Sequence, residues 1–537
     1  MQEKLLNSNR RKGMKAKKIM SVLLAACLTL GLGACGSGTA GKNTAGTVSE
    51  QSAQAEEGAE SQAQGTAADI SEEVTLRIYA VGNSGDIHQD EIYQRINEIT
   101  KEKINAVIEV TMLSWGDYVT KLPAILASGE DYDLTYTSSW CYYKTEGPKG
   151  AFCELTEDML KTYMPKTYAE YPQEAWEEAK LDGKIYMIPC VGNEFESHGY
   201  IIRGDLRKKY GVNEIKTLDD LEAYFAAIKE NEPGMTPIKG TANEGLNTAA
   251  VVFPADYVLT YAITTDGLVT PYDSPAELND RAYMEEVQDF YRRTKGWYDN
   301  GYIANDILSS KTTSEDYFKA GQSGLLFTNI NNASDKRKAI LQDNPDWELE
   351  YVDFEGDSMV EKTAYISNGM AVGRNSKNPE RALMFMELCY QDEELYDLIN
   401  YGLEGVTYIQ NEDGTIGTPE VNNMQEIQMD NLGMGIRNIK FAKVREDEWD
   451  VIVAKKKEYE TKCYTSPLNG ITFNMDEVNA ELAAINNIFI QYERPLMWGI
   501  VDDTDAKLEE LMKMYDDAGM QKVLELANKQ IAEQIGK

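Results

Sequence analysis

Acid–base and nucleophilic chemistry have few residues to draw on in this chain. Only two histidines occur among 537 residues, His88 and His198. A zinc site or a Ser-His-Asp relay needs imidazole placed beside partner groups, so both mechanisms lack their main component. There is no nucleophile elbow, no HExxH helix and no phosphate-cradling loop. Gly31 to Gly36 has the GxGxxG spacing, but no strand precedes it and no helix follows, so it is not a dinucleotide turn. Adjacent carboxylates exist, Asp219 with Asp220 and Asp502 with Asp503. With 89 acids against 53 bases, however, a solvated pair is the default reading. No acidic run has the pattern of a calcium loop. The sequence therefore predicts no catalytic residue, no metal and no cofactor. The net charge of −36 also argues against a nucleic-acid partner, because phosphate binding needs a basic face.

One side chain does carry a specific covalent chemistry. Residues 4–18 hold seven bases, an apolar run follows from Ile19 to Ala34, and Leu32-Gly33-Ala34-Cys35-Gly36 closes it. A cationic head, a short apolar body and small residues at the end describe a secretory signal. The closing residues resemble the bacterial lipobox, which implies that Cys35 is acylated, for example with palmitate, and becomes the first residue after cleavage. Leu24-Ala25-Ala26-Cys27 fits less well because the residues after it are still apolar. Cleavage after Ala34 would leave 46 bases and 88 acids, a net charge of −42. Anionic headgroups repel such a surface, so a lipid on Cys35, not basic side chains, would hold it at the outer face of the membrane. Cys141, Cys153, Cys190, Cys389 and Cys463 are odd in number and widely spaced, which is not a disulfide framework.

Several elements read directly from the pattern. Residues 36–73 carry no aromatic residue and read as a disordered tether. Val74–Tyr79, Ala106–Met112 and Tyr132–Thr137 are predicted strands, separated by helices around Ile92–Ile99 and Tyr118–Leu126. Strand, helix, strand, helix, strand predicts a parallel sheet with helices on its faces. Lys184–Pro189, Gly199–Ile202, Ser323–Phe327 and Ala364–Ser367 are further strands. A helix begins at Thr217 with an acid at the third position, another covers Pro379–Asp392, and a hairpin turns at Glu412-Asp413-Gly414. The C-terminus is helical, with Val478, Leu482, Ile485, Phe489 and Tyr492 on one face, an end at Pro495 and a later break at Gly519. Trp115 and Trp498 are expected in the packing.

Three stretches together resemble one family. The first is Trp115-Gly116-Asp117-Tyr118, followed by Ser128-Gly129-Glu130-Asp131-Tyr132-Asp133. The second is Tyr200-Ile201-Ile202-Arg203-Gly204-Asp205-Leu206. The third is Asn375-Ser376-Lys377-Asn378-Pro379, leading to Tyr401-Gly402-Leu403-Glu404-Gly405. Their order is similar to that in lipid-anchored extracellular solute-binding proteins of ABC sugar importers, of the maltodextrin-binding type. The tail from about Phe473 to Ile535 resembles an uncharacterised domain of a large-lipoprotein branch. Thr407 stands where that branch commonly has His. The resemblance implies an α/β, two-lobe type II periplasmic-binding-protein fold with central mixed sheets, hinge-linked, and a helical C-terminal segment. Its expected parts are a signal over 1–34, a tether over 35–73, a first lobe over 74–190 with about 370–463 returning to it, a second lobe over 191–365 and a helical segment over 464–537. Crossings are expected near Ile188–Tyr200, Ala364–Val372 and Tyr464–Phe473.

The resemblance also implies a function: capture of an oligosaccharide between the lobes and delivery to an ABC permease, by a monomer without catalysis. A receptor for a peptide or another polar solute, and a secreted carbohydrate-active enzyme, are the alternatives. A sugar ring presents an apolar face and a rim of hydroxyls, so flat aromatics and polar side chains at strand ends are the candidate ligand groups. Trp140, Tyr142 and Tyr143 follow the third strand on a polar loop, and Asn83 and Asp86 follow the first. Asn193, Glu194 and Glu196 lie at the first crossing. Asp256, Tyr257 and Asn329 lie in the second lobe. Phe473 stands where the family often has a cleft aromatic. Glu404 is expected to serve structure through a hydrogen bond.

Overall fold

A computed structural model describes residues 69–82, 88–244, 257–265, 267–356, 358–419 and 432–535. Cys35, the signal and most of the tether lie outside the described residues, as do Asn83, Asp86 and Asp256.

The first lobe begins with Val74–Val81 (β1), Gln89–Ile104 (α1), Ala106–Leu113 (β2), Trp115–Ser128 (α2) and Leu134–Thr137 (β3). β1 pairs in parallel with both β2 and β3. Ser114 caps α2 by accepting from the Asp117 amide at 3.3 Å, and Gly129 ends it at φ +73°, where a Cβ would be strained. The chain continues to Gln173–Glu178 (α3) and Ile188–Pro189 (β4), then leaves for the second lobe. Lys184–Pro189 is not the single strand expected. Lys184–Ile185 makes a small hairpin with Lys180–Leu181, and only β4 joins the main sheet.

The second lobe is built on His198–Arg203 (β5). The chain then forms Leu218–Asn231 (α4), Tyr257–Thr260 (β6), Leu268–Pro271 (β7), Glu285–Asp299 (α5), Leu325–Asn329 (β8) and Leu349–Val352 (β9). β5 lies between β8 and β9, antiparallel to both. The Thr217–Asp220 capping box that opens α4 forms in full. After Val360–Glu361 (β10) the chain returns as Gly369–Val372 (β11), which completes the first sheet in the order β2–β1–β3–β11–β4. Ala364–Ser367 was expected as a strand. It is instead a 3-10 turn over Tyr365–Ser367, and the strand starts at Gly369, where Met187 and the Ile188 carbonyl press too close for any side chain.

Pro379–Gln391 (α6) and Glu393–Asn400 (α7) pack into the first core with Ile96, Leu134 and Met370. That return runs on to Lys443, which pairs with Glu393 and Asp397 on α7. Asp450–Lys462 (α8) was expected within it but lies on the second lobe, where Ile452 and Tyr459 pack with Phe195, Ile201 and Leu326. The third passage between lobes thus falls at 443–449, where Arg445 and Trp449 reach Asp335 and Ser334, not at Tyr464–Phe473. Cys463–Tyr464 (β12) pairs in parallel with β10. The tail helices Asn479–Ile488 (α9), Thr504–Asp517 (α10) and Met520–Gln534 (α11) share one core with the second lobe: Ile485, Trp498, Leu511 and Val523 pack with Ile202, Phe290 and Leu325. Trp498 is fully buried against Phe327. α9 runs on through a π-turn over Phe489–Glu493 into a short helix Arg494–Met497, so Pro495 sits in its first turn and does not end the run as expected; the π-turn shifts the register and leaves Tyr492 outside the stripe, 42% exposed.

The sequence motifs serve this architecture. Asp133 is buried and accepts from the Arg77 amide at 2.9 Å and the Ser376 hydroxyl at 2.6 Å. Asn375 donates to the Gly129 carbonyl at 3.1 Å, and Lys377 pairs with Asp131 at 2.6 Å. The first and third motifs therefore bond to each other and pin the returning chain to β3. In the second motif Arg203 is held by Asp205 and lies over the Trp347 ring. Thr407 is buried: its hydroxyl donates to the Tyr401 carbonyl at 2.6 Å and accepts from the Leu403 amide at 2.7 Å, closing the turn that follows α7. Glu404 is exposed.

Candidate functional site

One edge of the first sheet collects the loops that face the crossings. β1, β2 and β3 end there, β11 begins there because it runs antiparallel, and β4 ends there. Open α/β sheets bind ligands at such an edge. After β3 the chain turns sharply. Ser139 donates to the Ile366 carbonyl at 2.8 Å, and the Trp140 indole donates to the Ser367 carbonyl at 2.9 Å. These two bonds fix the turn against the second crossing. They leave the Trp140 ring 59% exposed, an unusual state for the largest apolar side chain.

Tyr142 and Tyr143 part ways here. Tyr142 has φ +65°, a left-handed conformation, and its half-buried ring lies 5.8 Å from Tyr118. Tyr143 is fully buried beside Phe152; its hydroxyl donates to the Ala179 carbonyl and accepts from the Tyr186 amide. The Tyr143 ring belongs to the lobe core and has no open face.

Beside the Trp140 turn is a recess lined by Cys190, Glu194, Thr363, Tyr365, Asn368 and Arg437. Glu194 pairs with Arg437 across it. Burial pulls the Arg437 guanidinium down, but Glu194 holds it above its ordinary pKa. Asn368 accepts from the Tyr136 hydroxyl at 2.8 Å, which orients its amide. Burial pushes the Cys190 thiol up to about 12, so it stays protonated and inert. Arg437, Asn368 and Tyr365 were not among the residues expected. Their one signal in the sequence is position: Asn368 stands immediately before β11, and Arg437 follows a Gly-rich stretch.

The other candidates are spread over the crossings and the second lobe. Asn193 donates to Glu460 at the end of α8. Glu196 is exposed on the first crossing. Asn329 ends β8, opposite His198, and accepts from the Asn332 amide at 2.9 Å, a turn-closing bond. Tyr257 opens β6, half-buried. Phe473 packs against the core shared by the second lobe and the tail. Tyr464 and Tyr272, which were not anticipated, meet edge to face at 4.9 Å beside β10. Glu194 therefore lines the recess and Trp140 stands beside it through Ser367, whereas Tyr143 and Phe473 pack with separate cores.

Carboxyls dominate the ground between the crossings. Glu178 is buried and accepts from the Tyr365 amide at 2.7 Å and from Asn469 at 2.9 Å, tying α3 to the second crossing and to the segment after β12. Burial raises its pKa, and those two bonds oppose the shift. Glu361 rises to about 8, through burial first and Glu196 second. Among the described residues no group of three or more His, Cys, Asp or Glu side chains is placed to hold a metal ion. Among the same residues no helix is long and apolar enough to cross a membrane.

Comparison with known proteins gives this arrangement its family. Residues 94–408 match the model of the bacterial extracellular solute-binding proteins, and 467–535 match a domain of unknown function. A carbohydrate ABC transporter substrate-binding protein of Streptococcus pneumoniae is 24% identical over 469 residues, 87% of this chain and 92% of that one. The crystal structure of the N-glycan transport solute binding protein NgtS of the same organism superposes with a TM-score of 0.72 at 23% identity, covering 86% of this chain and 99% of that one. The S. pneumoniae substrate binding protein FusA in complex with kestose superposes at 0.61 with 17% identity, over 86% and 99% of the two chains. The matched family model spans more than half of the sequence, and the chain belongs to the bacterial extracellular solute-binding proteins.

Proposed function

We propose that this protein is the extracellular receptor of an ABC importer, that it captures an oligosaccharide between its two lobes, and that it hands the sugar unchanged to the permease. The observation that carries the reading is the exposed Trp140 ring, held at the carboxyl edge of the first sheet by its own indole bond. A flat apolar ring matches the C–H face of a sugar, and the Glu194–Arg437 pair and Asn368 beside it offer donors and acceptors to hydroxyls. The carbohydrate-named relative and the glycan-binding neighbours support the same class of ligand. Contact with both lobes is complete only when the cleft is shut, so ligand shifts the balance between open and closed forms. The reading includes export by the signal over 1–34 and anchoring through a lipid on Cys35. The parts proposed are a first lobe over 74–190 with the return from about 370, a second lobe over 191–365, and a helical segment from 464 that serves the second lobe.

A thermal-shift screen over neutral oligosaccharides, with chromatography of the recovered sugar, tests the reading. The expected result is a raised melting temperature with at least one glycan and no cleavage products. Sugar cleavage would mark an enzyme instead, and a shift only with peptides would mark a receptor of another class.

A further inference from the structure

The crossings are hydrogen-bonded to one another, and that ribbon places two acids side by side. Phe195 and Lys362 form an antiparallel bridge, which makes Glu196 and Glu361 direct opposites. The Glu196 amide donates to the Glu361 carbonyl at 2.9 Å, and the Thr363 amide to the Glu194 carbonyl at 3.0 Å. On its other side β10 pairs with β12, with Glu361 beside Tyr464, and the Lys362 amide donates to the Tyr464 carbonyl at 2.8 Å. Glu196, Glu361 and Tyr464 thus form one row across three segments, on the face away from buried Phe195. Opposite residues on an antiparallel pair have Cβ atoms about 5 Å apart, and like charges there push the strands apart.

Among the described residues no ion pair reaches Glu196 or Glu361, and the hydrogen-bond partner of the Glu196 carboxyl is the neutral Thr363. Glu178 lies on the same side and adds to the repulsion. Glu194, next to Glu196 on the first crossing, is paired with Arg437. Lys144 and Lys362 act on Glu178, and the Lys362 ammonium donates to the Tyr365 hydroxyl at 3.0 Å. Glu355 and Asp353 approach from beyond Tyr464, where Lys455 and Lys462 face them. Ser466 and Tyr464 are the neutral partners of Glu361.

We propose that Glu361 keeps its proton opposite Glu196, and that this proton keeps the three segments bound as one ribbon, so that its loss at alkaline pH loosens the hinge. With one carboxyl neutral, the row is a single anion flanked by donors. With both ionised, repulsion acts directly on the bonds that join the crossings. The direction of the shift at Glu361, with Glu196 among its causes, agrees with a proton retained at neutral pH. The inference is independent of the sugar reading, since it concerns the unliganded hinge.

Hydrogen exchange on the unliganded protein tests it, read on peptides containing Glu196, Lys362 and Thr363 and corrected for intrinsic rates. From about pH 6 to about pH 9, wild-type protection there is expected to fall about tenfold or more, while protection in β1 and β2 holds. Glu361→Gln removes the second charge but keeps the shape, so its protection should stay flat over the same range. Glu196→Gln should do the same, and it carries the test if the first variant folds poorly. A flat wild-type profile, or an equal fall in both variants, would overturn the proposal.

Discussion

Trp140 separates two roles that a sequence cannot. A core tryptophan cut to alanine lowers stability by about 3–5 kcal/mol. This residue is 59% exposed and its bond to the Ser367 carbonyl is worth about 1 kcal/mol, so Trp140→Ala should lower stability far less than a core change would. The same change should weaken sugar binding by about 2 kcal/mol, roughly thirtyfold. Calorimetry on the one mutant reads both quantities, and a large loss of stability with unchanged affinity would remove Trp140 from the site. Glu361 makes a second prediction. Its folded pKa, about 8, lies above the ordinary 4.5, so the folded state binds the extra proton between those values. That contribution to stability is complete below about pH 4.5 and is lost as pH rises through about 8. The melting temperature of wild type should therefore fall from mildly acidic to mildly alkaline pH more steeply than that of Glu361→Gln. Parallel slopes in a calorimetric pH series would contradict the assignment.

At the scale of elements, the tail is the least expected part. Its helices were legible from apolar spacing, but not where they pack. Glu493, fully buried, joins the two parts: it accepts from Tyr291 on α5 at 2.6 Å and from Tyr515 on α10, with Arg281 at 3.7 Å. Replacing Glu493 with Ala removes the buried carboxylate that accepts from Tyr291 and Tyr515 and faces Arg281, and should destabilise the protein by about 3–5 kcal/mol, measurable by denaturant titration. Deleting 467–535 should uncover the second-lobe core and give an aggregating product, not a smaller stable receptor. β1, β2, α2 and α4 were readable because each has a local signal, an alternation or a cap. β10 and β12 were not, because two-residue strands have no period and form only when distant segments meet, and β4 was legible only as the end of a longer expected strand. α8 was assigned to the wrong lobe for a related reason: its apolar stripe is weak, and nothing local records which core receives Ile452 and Tyr459. At the candidate site, Trp140 and Glu194 were legible as polar or aromatic residues at strand ends and crossings. Arg437 and Asn368 become neighbours only through β11 and the last stretch of the chain returning to the first lobe.

For the whole molecule, the first-lobe edge, the recess at its rim and the ribbon of crossings form one device that is proposed to close on a sugar. Closure should shrink the radius of gyration measured by small-angle scattering when a binding oligosaccharide is added, and a non-binding sugar should leave it unchanged. The most direct test of the central claim is isothermal titration of the protein, lacking residues 1–34, with neutral oligosaccharides, followed by chromatography of the ligand recovered from the cell. The expected result is saturable one-to-one binding of at least one glycan, recovered intact. Absence of binding across neutral oligosaccharides, or recovery of a shortened sugar, would contradict it.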